Sequence, residues 1–282
     1  MNVGIVGLGL IGGSLAKALK QDTPHIVLGR DINDQVVCKA KLFDAIDEEL
    51  TDKRINICDI IILAVYPADT VRFLTDHADD IAPGATVVDT CGVKDAVCRR
   101  AFSIARDHGF VFIGGHPMAG TEYSGFEFAQ HSLIKNASMI MTPPRDVPIE
   151  ALDRLKKLFV SIGFTNIEIT TPKEHDRIIA YTSQLAHIVS SAYIKSDAAR
   201  AHHGFSAGSY RDMTRVAKLN EDMWTELFMD NRENLAHEAD RLIHELQKYS
   251  EAIKLGDAQQ LHTLLKEGRE MKLMTDKEDY GL

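Results

Sequence analysis

The stretch NVGIVGLGLIGGSLAKALK, residues 2–20, decides how the rest of the chain reads. It opens on a short apolar run, passes through Gly7, Gly9 and Gly12 at GxGxxG spacing, and continues as a helical pattern. A glycine loop between a strand and a helix is the dinucleotide-binding fingerprint when an acidic residue stands about 20 positions further on. Asp31, 19 positions after Gly12, meets that condition. Gly7 turns the chain, Gly9 lets the backbone approach a pyrophosphate, and Gly12 lets the helix pack against the strand. The phosphates then sit at the helix N-terminus, at Leu10 and Ile11, where free N–H groups and the helix dipole favour negative charge. Asp31 is placed to hold the adenosine ribose hydroxyls, which favours NAD over NADP because a carboxylate repels a 2′-phosphate. Arg30, beside it, works in the other direction.

Outward from this loop, the first half repeats one theme. HIVLG (25–29) ends at Arg30-Asp31, DIIILAV (59–65) at Tyr66-Pro67, ATVVDT (85–90) at Cys91-Gly92-Val93-Lys94, and FVFIGG (110–115) at His116. The third of the five runs is apolar at nearly every position, as a parallel strand covered on both faces requires. Helix-like segments separate the runs, among them residues 93–108, closed by Gly109. Alternation of this kind predicts an α/β fold with a Rossmann-type, doubly wound parallel sheet. Ligands of such sheets bind beyond the carboxyl ends of the strands. Val65, Tyr66, Asp89, Gly92, Lys94 and His116 all fall at those ends. SMIMTP (138–143) and NIEITTP (166–172) read as two more strands extending the sheet.

No β pattern follows residue 171, and Thr171-Pro172-Lys173-Glu174 has the form of a helix start: threonine cap, proline first, glutamate third. The expected division is a dinucleotide-binding domain at 1–171 and an all-helical domain at 172–282. The helix HDRIIAYTSQLAHIVSSAYIKS is apolar nearly all round after its first turn, which predicts burial in a bundle or a subunit interface. A second helical stretch over 220–253 sets Leu235, Leu242, Leu246, Tyr249 and Ile253 on one stripe, and Gly256-Asp257 breaks it. Such a domain is expected to complete its core in a homodimer.

The totals narrow the class. A chain of 282 residues can bury a sizeable core, and its 45% apolar and 26% charged content is ordinary for a globular protein. A formal charge of −9 argues against a nucleic-acid surface but not against small anions. No apolar run reaches the roughly 18 residues that span a bilayer. The chain goes directly into VGIVGLG without a basic leader, and Cys38, Cys58, Cys91 and Cys98 show no CxxC spacing, so reduced thiols and a cytoplasmic location are expected. The histidines, His202-His203 included, form no cluster at metal spacing, and no metal is expected.

Together, GLGLIGGS, the D-x-x-x-V-K of Asp89–Lys94, GGHPMAGTE (114–122), SQLAHIVSSA (183–192) and GSYRDMTRVA with the later Met223-Trp224 resemble the prephenate/arogenate dehydrogenase family over essentially the whole chain. The resemblance implies a dehydrogenase domain, a helical dimerisation domain and an active site between them. It makes His116 the catalytic histidine and Glu122 an acidic residue that gates or orients the site. His187 becomes a substrate-pocket histidine on the long helix. Arg215 becomes the arginine that meets a substrate carboxylate, with Arg211 one turn before it and Gly208 and Trp224 in the same pocket segments. Many relatives carry a serine just before V-K that bonds the substrate hydroxyl; this chain has Gly92.

The implied reaction suits these residue types. Prephenate carries a ring hydroxyl, a ring carboxylate and a pyruvyl side chain. A neutral imidazole can take the hydroxyl proton near pH 7, and an arginine fork meets a carboxylate with two parallel bonds. Arg211 and Arg215, four apart, share a face if their segment is helical. Alternatives remain: arogenate as substrate, a β-hydroxyacid or imine-type dehydrogenase, or a nucleotide sensor without chemistry, for which Gly92 is the one supporting feature.

Overall fold

The computed structural model describes residues 1–121 and 123–280, with 278–280 described by backbone alone. The chain forms two compact units, Met1–Arg232 and Glu233–Leu282.

The first unit is built on one sheet. Its strands are β1 (Asn2–Val6), β2 (Ile26–Arg30), β3 (Glu48–Glu49), β4 (Ile60–Leu63), β5 (Thr86–Asp89), β6 (Val111–Pro117), β7 (Ser138–Thr142) and β8 (Asn166–Ile169). Their spatial order is β3-β2-β1-β4-β5-β6-β7-β8. The chain winds outward from β1 in one direction and from β4 in the other, so the crevice opens where those two strands pair, Val6 opposite Leu63. Every residue of β4 and β5 is buried, because helices cover both faces. These helices are α1 (Leu10–Asp22), α2 (Asp34–Leu42), α3 (Pro67–His77), α4 (Asp95–His108) and α5 (Ile149–Ser161). Two apolar clusters form the core, one around Ile5, Leu15 and Phe159, the other around Ile61, Phe73 and Phe112.

The sheet is parallel as expected except at one pairing: β6 and β7 are antiparallel, with His116 opposite Ile140. Among the described residues, the helical elements of their connection are short 3₁₀ turns, Phe126–Phe128 and His131–Leu133. Those described residues form no crossover helix of the kind that usually brings a chain back parallel.

The Thr171 hydroxyl accepts the Glu174 N–H (3.2 Å), capping α6 (Pro172–Ile179). A π-helical turn, Ala180–Gln184, leads into α7 (Leu185–Tyr193). This run is not apolar all round. Its buried positions include His175, Asp176, Gln184 and Ser190, while Tyr181 and Tyr193 are exposed. His175, Asp176 and Gln184 reach partners across the fold, which a hydropathy pattern does not register. After α8 (Gly208–Thr214) and a 3₁₀ turn at Arg215–Ala217, the stretch expected as one helix is two, α9 (Glu221–Asp230) and α10 (Arg232–Leu255). Asn231 separates them, and its buried amide donates to the Asp176 carbonyl and to Gln184 Oε1, both at 2.8 Å. Those two bonds hold a break that the apolar stripe does not show.

In the second unit, α10 turns at Gly256 (φ +67°) into α11 (Ala258–Tyr280), and the Tyr249 hydroxyl donates to the Leu264 carbonyl at 3.0 Å. Leu246 and Ile253 of the expected stripe are exposed, as are Ile243, Leu265, Met271 and Met274.

Candidate active site

The glycine loop has the expected division of labour, now with distances. Gly7 sits at φ +88°, and a Cβ there would lie 2.4 Å from the Ala64 carbonyl. A Cβ on Gly12 would lie 1.9 Å from the Gly7 carbonyl oxygen, so α1 can approach β1 only with glycine at that position. Over Gly9 there is nothing within 4 Å. No side chain caps α1, so the N–H groups around Leu10 and Ile11 lie beneath that open space. A pyrophosphate fits this cradle. Asp31 accepts the Leu8 N–H at 2.8 Å and the Asn33 N–H at 3.0 Å, fixing its carboxylate at the end of β2. It lines a cavity of about 630 Å³ with Gly7 and Val65, walled also by Asp34, Glu49, Asp52, Asp69 and Asp76. Arg30 is turned aside into an ion pair with Asp52, and Arg72 is paired with Asp69 at 2.6 Å. Such a wall accepts ribose hydroxyls and repels an added phosphate.

At the next strand ends, Tyr66 is exposed at the start of α3, and Gly92 lies in the loop after β5. Cys91 is not presented to the crevice: it is buried, with its Sγ at 3.4 Å from the Thr70 hydroxyl and 3.5 Å from the Val65 carbonyl. Burial, then the neighbouring Asp89, raises this thiol well above its ordinary pKa, so it is no thiolate. Helix α9 packs over these ends. Leu227 covers Gly92, and Glu226 Oε1 accepts the Ala68 N–H (2.7 Å) in the first turn of α3.

His116, the penultimate residue of β6, is half-buried, and its Nδ1 is 2.9 Å from Nε2 of His175 on α6. The other nitrogen of His175, Nδ1, is 2.7 Å from Asp176 Oδ1. Asp176 in turn accepts the N–H groups of Lys94 (2.7 Å) and Asp95 (2.8 Å), capping α4. Beside them lies a fully buried ion pair, Lys94 with Asp89. Asp89 also accepts the N–H groups of Cys91 and Gly115, each at 3.0 Å, so one carboxylate ties the Gly92 loop to the strand that carries His116. Burial opposes the Lys94 charge, but Asp89 outweighs it, and the ammonium stays above its ordinary pKa. Burial, then His175 and Lys94, pushes His116 well below the ordinary histidine range. Burial also lowers His175, against the pull of Asp176. Both rings are neutral at pH 7.

A third group lies on the helical segment. The His187 ring stacks on Trp224 with centroids 3.8 Å apart, and its Nδ1–H donates to the Ser183 carbonyl at 2.9 Å. Its pKa is lowered by burial and then by Arg215, against that hydrogen bond. Arg211 in α8 and Arg215 just after it are exposed and in no ion pair among the described residues. Gly208, the first residue of α8, is exposed. Lys218, three residues after Arg215, stands 6.0 Å from the Tyr123 ring, in the loop that follows His116. Glu122 lies outside the described residues.

The expected residues thus gather into a glycine cradle, an imidazole near a strand end, and a histidine–tryptophan–arginine group. Sequence reasoning did not single out His175, Asp176, Glu226 or Leu227. The adjacent His175-Asp176 in the first turn of a capped helix was the available signal, since a buried first turn rarely carries two titratable groups without partners.

Fold and site together define an oxidoreductase of the kind in which a dinucleotide-binding sheet is followed by helices. Residues 15–168 match the model of the prephenate dehydrogenase nucleotide-binding domain, and residues 171–267 that of the prephenate dehydrogenase dimerization domain. The chain belongs to the prephenate dehydrogenase family. It is 30% identical to prephenate dehydrogenase of Lactococcus lactis, over 95% of this chain and 75% of that one. Among solved structures it is similar to arogenate dehydrogenase of Synechocystis (TM-score 0.82, 28% identity, 98% and 100% of the two chains). It is equally similar to prephenate dehydrogenase of A. aeolicus in complex with hydroxyphenyl propionate and NAD⁺ (TM-score 0.82, 28% identity, 98% of each chain). Among the described residues no helix is long and apolar enough to cross a membrane, and no group of three or more His, Cys, Asp or Glu could hold a metal.

Proposed function

We propose that the protein oxidises prephenate with NAD and releases carbon dioxide, forming 4-hydroxyphenylpyruvate on the route to tyrosine. The observation that carries this reading is a neutral His116 at a strand end of the crevice that opens beside an uncapped α1. In it, Gly7, Gly9, Gly12 and the N–H groups of Leu10 and Ile11 hold the pyrophosphate, Asp31 the adenosine ribose, and Val65, Tyr66 and Gly92 line the rest of the cofactor path. NAD supplies the hydride acceptor when bound. His116 takes the proton of the ring hydroxyl as that oxygen becomes a carbonyl, which general-base help accelerates by about 10²–10⁴-fold. Loss of carbon dioxide then returns its bonding pair to the ring and makes it aromatic. Arg211 and Arg215 bind carboxylates, with His187, Trp224, Gly208 and Glu122 around them.

Residues 1–171 form the cofactor part in this reading and 172–282 the helical part; the two family models, which end at 168 and begin at 171, support that division. A homodimer through the helical part accounts for the exposed Leu246 and Ile253 in a segment matched by a dimerization-domain model. Four free cysteines suit a cytoplasmic setting.

Arogenate is the second reading. With its Nδ1–H donated to Ser183, His187 keeps Nε2 as an acceptor, which suits an amino substituent. The test is growth of reduced-nicotinamide absorbance with prephenate and with arogenate, each with NAD and with NADP. Turnover with prephenate and NAD is expected. No turnover in any of the four mixtures, with NAD still bound, would replace this reading with a nucleotide sensor.

A further inference from the structure

We infer that His175 and Asp176 form a positioning relay that sets the tautomer of His116 and leaves its Nε2 bare as the proton-accepting atom. The inference rests on the reading of His116 as the base. The hydrogen-bond chain has one consistent assignment. The Asp176 carboxylate can only accept, and it already accepts the N–H groups of Lys94 and Asp95. His175 Nδ1, 2.7 Å from Oδ1, must therefore carry a hydrogen. A neutral His175 then has a lone pair on Nε2, and at 2.9 Å that lone pair accepts from His116 Nδ1–H. With its hydrogen on Nδ1, a neutral His116 has Nε2 free of hydrogen. An unanchored imidazole would divide itself between two tautomers and many ring orientations, whereas this one has a single state.

The same chain prepares the cluster for the proton. The charged groups facing the two rings are Asp176 on α6, Lys94 before α4 and Asp89 at the end of β5; Asp230 of α9 lies near Asp176. Lys94 and Asp89 pair with each other, which leaves the Asp176 carboxylate as the unbalanced charge next to the relay. When Nε2 takes a proton, the His116 Nδ1–H···Nε2 bond becomes charge-assisted, and His175 transmits the negative charge of Asp176 to it. No proton needs to leave His175. Asp176 itself is held in place, because its two oxygens accept the Lys94 and Asp95 N–H groups at the start of α4. The rigidity of a helix terminus is thereby passed to a catalytic ring one residue pair away.

Long-range ¹H–¹⁵N correlation of the imidazole rings in the free protein, with His116 identified by the signal lost in His116→Asn, reads the tautomer directly. The expected spectrum has His116 protonated at Nδ1 and bare at Nε2; a ring protonated at Nε2 overturns the inference. In His175→Leu, kcat should fall by at least 10-fold and on the order of 10². The KM for NAD should hold, so that the loss falls on kcat and not on cofactor binding. His175→Gln, whose carbonyl can accept the Nδ1–H, should recover part of the loss and serves if the leucine variant does not fold. Leucine and glutamine variants that both turn over within 2-fold of the wild type would overturn the relay. The spectrum needs no substrate, so absence of wild-type turnover would count against the functional reading alone.

Discussion

A Cβ placed on Gly92 would rest 3.5 Å from both δ-carbons of Leu227, an ordinary van der Waals distance, and Gly92 does not occupy the positive-φ region. Neither backbone nor packing therefore demands glycine where the relatives' pattern has serine. Gly92→Ser should fold with a melting midpoint within about 2 °C of the wild type. A hydroxyl there that bonds the substrate is worth about 0.5–1.5 kcal/mol, so kcat/KM for prephenate should rise roughly 2- to 10-fold. A drop in kcat/KM with an unchanged melt would show that the position is needed open.

Gly9 and Gly12 should respond oppositely to the same added methyl group. Over Gly9 it meets nothing within 4 Å, so Gly9→Ala should leave the thermal midpoint intact while raising the KM for NAD, because the methyl occupies the space for the pyrophosphate. On Gly12 it would lie 1.9 Å from the Gly7 carbonyl, so Gly12→Ala should destabilise the fold itself, by about 1–3 kcal/mol as an overpacked contact. Paired thermal melts and NAD titrations separate the two effects.

Cofactor choice should depend on the partner of Arg30 as much as on Asp31. Asp52 holds that guanidinium aside, so Asp31→Ser alone should weaken NAD binding with little gain for NADP. Adding Asp52→Ala frees Arg30 for a 2′-phosphate and should shift the NADP-to-NAD ratio of kcat/KM by about 10-fold or more, the worth of one charge-assisted bond.

The pH dependence has a definite sign. A base whose folded pKa lies well below 6.5 remains active through the range in which an ordinary histidine would be protonated, so kcat/KM should be level from about pH 6.5 upward and fall only below it. His25, His175 and His187 are lowered as well, burial being the first cause in each. Below about pH 6.5 the unfolded chain binds more protons than the folded one, and stability must decline as pH falls through that window. Thermal midpoints measured from pH 7.5 to 5 should drop monotonically; a midpoint that rises on acidification would contradict the buried, neutral state of these rings.

Arg215 should separate binding from folding. It is exposed and in no ion pair among the described residues, so Arg215→Ala should melt like the wild type. Losing a charge-assisted bond of about 1.5–3 kcal/mol should raise the KM for prephenate roughly 10- to 100-fold, with the KM for NAD unchanged. Steady-state kinetics in both substrates checks the pair of expectations.

What the sequence determined by itself were features that neighbouring residues dictate. The Gly7–Gly12 turn follows from which residues tolerate a positive φ and close contact, the α6 start from a threonine cap before proline, and His116 at the crevice from a buried strand ending there. The antiparallel β7 and the break at Asn231 were not legible, because each depends on what a segment meets after the chain has folded back. The same holds for the groups around His116. His116 meets His175 across 59 positions, and Asp176 reaches Lys94 across 82. No periodicity encodes such pairs, since a side chain's partner across that separation is set by how the sheet and helices pack. Hydropathy marks His175 and Asp176 as polar residues on a helix. Their burial against α4 and β6, where each hydrogen must find an acceptor, is what turns two polar residues into an ordered chain of hydrogen bonds ending at one nitrogen of His116.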